Sequence, residues 1–112
     1  MKVATATIHA GICGFVTRVR VVGDDSFVVR LAIERDCDRV RAFAAGLASA
    51  GPLNALDEIT RGHEGVLLST AAQHCRGCCA ACVAPDGAFK ALQVAAGLAL
   101  PAAVQIELES EG

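Results

Sequence analysis

The chain has 112 residues, 54% of them apolar, with four Phe and neither Trp nor Tyr, which suits a single domain (residues 1–112) with an aliphatic core. Ten basic residues against twelve acidic ones leave a formal net charge of -2. That balance argues against a large nucleic-acid footprint, which would need a basic stripe, and the aromatic platforms for base stacking are missing.

Val3 to Ile8 is rich in β-branched residues and predicts a first strand. Ala10-Gly11-Ile12-Cys13-Gly14 follows, its two glycines marking a turn with close backbone approach. From Phe15 to Val22, Phe15, Thr17, Val19 and Val21 alternate with Arg18 and Arg20. Gly23-Asp24-Asp25-Ser26 is a turn signal, and Phe27, Val29, Leu31 and Ile33 alternate again. These two runs predict a β-hairpin.

Asp36-Cys37-Asp38 reads as a helix start, with carboxylates suited to the N-terminal dipole. Val40, Phe43, Ala44, Leu47 and Ala48 carry helical spacing up to the Gly51-Pro52 stop. Asn54 to Ile59 predicts a connector or half-helix. A second long helix is expected from about Glu64 through Cys82, weakened at Gly77, with Pro85-Asp86-Gly87 as its break. A third runs from Ala88 to about Leu98, and alternation at Val104, Ile106 and Leu108 predicts a last strand. The expected fold class is α+β: an antiparallel sheet of N-terminal strands, hairpin and C-terminal strand, with about three helices on one face.

No apolar run approaches the roughly 18 residues of a membrane span, and MKVATATIHAGIC makes a poor signal-peptide core. The expectation is a soluble protein in a reducing cytoplasm. Six cysteines in such a compartment point to metal binding or thiol chemistry rather than disulfides.

Four of them form the run Cys75-Arg76-Gly77-Cys78-Cys79-Ala80-Ala81-Cys82. On a continuous helix those offsets share one face. Such a face could lay small apolar thiols on the sheet, or offer ligands to a metal. Adjacent Cys78 and Cys79 diverge by about 100°, so the helix alone does not close a tetrahedral site. The hairpin supplies more donors. If Gly23 pairs with Ser26, Phe15 faces Glu34, and Cys13 comes opposite Asp36 beside Cys37. Cys13 lies between Gly11 and Gly14, Cys37 near a helix N-terminus that favours thiolate, and Cys82 just before Ala84-Pro85. The expected ligand set is Cys13, Cys37 and Cys82, with Cys79, Cys78 or Cys75 as a fourth.

The segments Ala10 to Phe15, Asp36-Cys37, Cys82 to Pro85 and Lys90 to Pro101 resemble a family of small uncharacterised proteins of anaerobic bacteria and archaea, a domain of unknown function. The resemblance spans most of the chain and implies motif positions for Cys13, Cys37 and Cys82. It implies no reaction, and Val83-Ala84 departs from the Pro-Val that the family motif suggests.

Three cysteines from separate elements with an optional fourth suit a 4Fe–4S cluster. Zinc is the alternative, although Cys75-x-x-Cys78 and Cys79-x-x-Cys82 overlap rather than form separated knuckles, and thiolates also suit Cu(I). A thiol–disulfide redox motif at Cys75 to Cys78 is weakened by its place late in a helix. His74 and His9 are candidate extra ligands, each more ordinary as an exposed histidine, and His63 reads as loop. No phosphate loop, nucleophile elbow or His-Glu-x-x-His pair is present, so no catalytic constellation is assigned. The expected partner of such a module is a redox or cluster-accepting protein, with no nucleic acid and no membrane. The protein would be a monomer or homodimer, a dimer using either the sheet edge or the Ala-rich helices.

Overall fold

A computed structural model of the chain describes residues 1–76 and 82–112. Three long strands, β1 (Lys2–His9), β2 (Val16–Gly23) and β3 (Val28–Glu34), pair as an antiparallel meander. The short β4 (Leu53–Asn54) adds beside β3, so the sheet order is β1-β2-β3-β4. Alternate residues Ala4, Ile8, Thr17, Val19, Val21, Val29 and Ile33 are buried on one face. The opposite face carries exposed Thr5, Thr7, Arg18, Arg20 and Arg30. This is the period-two pattern of a sheet covered on one side.

The covering layer is α1 (Asp38–Ala50), α3 (Val66–Cys75) and α4 (Ala84–Ala95), with the short α2 (Ala55–Arg61) and a 3-10 turn at Gly62–Glu64 between α1 and α3. The α+β class expected from the sequence holds, with four helices rather than three. Phe43, Leu67 and Leu92 are the largest fully buried helical side chains, packed over Val19, Val21 and Val29. Helix α4 presents buried Ala84, Ala88, Ala91 and Ala95 at helical spacing, a small-residue face that lets it lie close on the sheet. Glycines carry that approach further: a Cβ on Gly87 would strike the Ile8 side chain, and one on Gly23 would strike the Ala95 carbonyl.

The β2–β3 register differs from the one the turn signal suggests. Arg18 pairs with Glu34 and Gly23 with Val29, three positions beyond the expected pairing. Asp24 is the cause. Its Oδ1 accepts from the Ser26 and Val28 amides at 2.8 and 3.0 Å, and its own amide donates to the Val28 carbonyl at 3.0 Å. Phe27 takes a left-handed φ of 65°. A three-residue loop closing on a left-handed residue replaces the tighter turn and resets the whole ladder.

Two other boundaries move. The expected last strand is not in the sheet: residues 100–112 form neither helix nor strand and are exposed, and β4 takes the fourth place instead. The helix expected through Cys82 ends at Cys75, because Arg76 is extended at φ −71°, ψ 149°. Pro85-Asp86-Gly87 does not break a helix but opens one, with Pro85 in the first turn of α4, where a missing N–H costs nothing.

Glu58 is a buried carboxylate that sequence reasoning missed. It is 2% exposed, and its two oxygens accept from the Val66 and Leu67 amides at 3.1 and 2.6 Å. It caps α3 from eight and nine residues away, a reach no local capping pattern reveals. No helix among the described residues is long and apolar enough to cross a membrane.

Candidate metal centre

The topology gathers four cysteine-bearing elements at one end of the sheet. The β1–β2 connection turns there through Gly11–Gly14, closed by Gly14 N–H to the Gly11 carbonyl at 2.9 Å and Ala10 N–H to the Phe15 carbonyl at 3.1 Å. Gly11 and Gly14 both hold positive φ, 94° and 75°, which fits glycine at those two positions. Cys13 is exposed on this tip, next to the fully exposed Ile12.

Strand β3 runs to the same end, because Glu34 pairs with Arg18 near the His9–Val16 end of the β1–β2 ladder. The chain then enters α1 through Cys37, which sits at the N-cap with extended angles. Its side chain makes no capping hydrogen bond to the first turn of α1. The positive end of the helix dipole therefore lies beside a half-buried thiol.

Helix α3 ends at this end too. Arg39, in the first turn of α1, donates from Nη1 to the carbonyl of Arg76 at 2.7 Å. That bond ties Arg76, the residue after buried Cys75, to the first turn of α1. Helix α4 starts over Ile8 and finishes over Gly23, so half-buried Cys82, two residues before it, lies at the hairpin-tip end as well. Cys37 and Cys82 pack against the core cluster that includes Cys75.

The structure thus brings Cys13, Cys37, Cys75 and Cys82 to one end of the molecule, while Cys78 and Cys79 lie outside the described residues. In the shifted register Cys13 and Cys37 both still lie beyond the open end of the β2–β3 ladder. Helix α3 ends at Cys75, and the one-face reading of the 75–82 run rests on residues 77–81, which lie outside the described residues. Among the described residues, no three His, Cys, Asp or Glu side chains are grouped to hold one ion. Of the histidines, His74 is half-buried, its imidazole packed beside Gly46 of α1. His9 and His63 are exposed.

The donor chemistry at this end is soft: thiols, small apolar side chains and helix N-termini, with exposed Asp36 and Asp38 flanking Cys37. Such a set suits iron–sulfur, zinc or Cu(I) rather than a hard, oxygen-seeking cation.

The chain belongs to a family of unknown function, DUF6951, whose match covers residues 4–108. No curated protein and no solved structure is significantly similar to it.

Proposed function

We propose that this member of the family holds a metal centre, a 4Fe–4S cluster, on Cys13, Cys37 and Cys82 at the hairpin-tip end, with a fourth thiolate from Cys75, Cys78 or Cys79. The observation that carries the reading is the convergence of the β1–β2 tip, the α1 N-terminus, the α3 C-terminus and the α4 N-terminus, each bearing or adjoining a cysteine. Cys13, Cys37 and Cys82 also fall in the segments Ala10 to Phe15, Asp36-Cys37 and Cys82 to Pro85, which we take as the family's signature. Bound there, a cluster would supply electron transfer, sensing, delivery to an accepting protein, or a small-ligand site if one iron stays open. A reducing, cytoplasmic setting suits thiolates kept for a metal.

A second reading rests on Cys75, which is 7% exposed within the hydrophobic core. In that reading the thiols pack, or bind zinc, and serve only the fold. Metal analysis after anaerobic reconstitution separates the two. Iron and inorganic sulfide retained through desalting, and absent from Cys13→Ser and Cys37→Ser, support the cluster. Zinc alone, or no metal, supports the structural reading.

A further inference from the structure

The C-terminal segment is built like a strand and has no sheet. Val104, Ile106 and Leu108 alternate with Gln105, Glu107 and Glu109, and the apolar three are 61%, 66% and 90% exposed. Gln105 Nε2 donates to Glu107 Oε1 at 2.8 Å, so these two polar side chains share one side, as residues two apart would in a strand. The family match runs through Leu108, which makes the segment part of the domain rather than an appendage.

The sheet has a matching vacancy. β1 is an edge strand eight residues long, paired only with β2 among the described residues. Ala10 bonds across to Phe15, in the constant β1–β2 register. By the alternation of an antiparallel ladder, even-numbered residues of β1 bond β2, while Val3, Thr5, Thr7 and His9 turn their backbone groups to the open edge. A long edge left open in this way is a template for another strand.

We propose that two copies of the chain exchange tails, segment 102–109 of each adding as a strand along β1 of the other. The faces agree. Placed on that edge, Val104, Ile106 and Leu108 continue the side of Ala4 and Ile8, which is covered by α4, and Glu107 and Glu109 join the open side. There Arg18 and Arg20 stand across from Thr7 and Thr5, about 10 Å from an added strand and within reach of long side chains. Charge matches as well, since the tail from Pro101 onward carries Glu107, Glu109 and Glu111 and no base. Two reciprocal contacts of this kind close a twofold dimer and leave no exposed apolar strand.

Sedimentation velocity and light scattering on the full chain test this. Twice the 11.5 kDa chain mass is expected. Ile106→Glu spoils the apolar side of the tail, and Thr5→Pro removes one outward N–H without touching the β1–β2 bonds. Each should give a folded monomer by circular dichroism. A monomeric wild-type protein overturns the proposal, and so does a monomer whose tail amides resist hydrogen exchange, which would mean that each tail closes on its own edge. A dimer that persists in Ile106→Glu overturns it too, and that variant decides the matter if Thr5→Pro does not fold.

Discussion

Arg39 reaches from the first turn of α1 to the main-chain carbonyl of Arg76, at 2.7 Å, and so ties the start of one helix to the end of another. Cys37 and Cys75 border that bond, one on each side in sequence. Removing it with Arg39→Ala should cost about 0.5–1.5 kcal/mol, the net worth of a partly solvated hydrogen bond. Chemical denaturation measures the loss, and metal retention should fall with it, because the α1 and α3 ends are no longer held together.

Glu58 predicts a larger effect. Its carboxylate serves two amides at the start of α3, both otherwise orphaned in the interior. Glu58→Ala should destabilise the fold by about 2–4 kcal/mol, and Glu58→Gln, which keeps one acceptor oxygen, should fall between the two. Urea midpoints of the three proteins give that order.

Gly23→Ala should cost about 1–3 kcal/mol, because the new methyl meets the Ala95 backbone carbonyl, which cannot swing aside as a side chain can. A thermal melt reads the loss directly.

The cysteines divide by burial. Cys13 is exposed, so Cys13→Ser should leave the melting temperature of the metal-free protein unchanged while removing metal retention. Cys75 is buried in the core, so Cys75→Ser, which trades a well-packed thiol for a smaller and more strongly hydrated hydroxyl, should lower the melting temperature of the metal-free protein. A metal assay on Cys75→Ser is interpretable only beside that melt.

Much of this molecule was legible from local patterns. Alternation marks β1, β2 and β3, and the spacing of Val40, Phe43 and Leu47 marks α1, because period and burial are one property. The turn signal at Gly23 to Ser26 placed the hairpin but not its register, which depends on where the Asp24 carboxylate finds its amides. Val104 to Leu108 reads correctly as strand-like, yet its pattern says nothing about which sheet accepts it. The end of α3 meets Arg39, 37 residues away from the carbonyl it binds, a contact no local pattern reveals. That Cys13 and Cys37 lie toward the same end of the sheet was foreseeable, because both stand beyond the open end of one ladder. The arrival of Cys75 and Cys82 at that end follows instead from helix packing.

The most direct test of the metal centre is the absorption spectrum of the full chain after anaerobic reconstitution with iron and sulfide. A brown band near about 400 nm, lost in Cys13→Ser and in Cys37→Ser, is the predicted result. A colourless wild-type protein, or a band of undiminished intensity in both variants, would contradict a thiolate-held cluster at this end of the sheet.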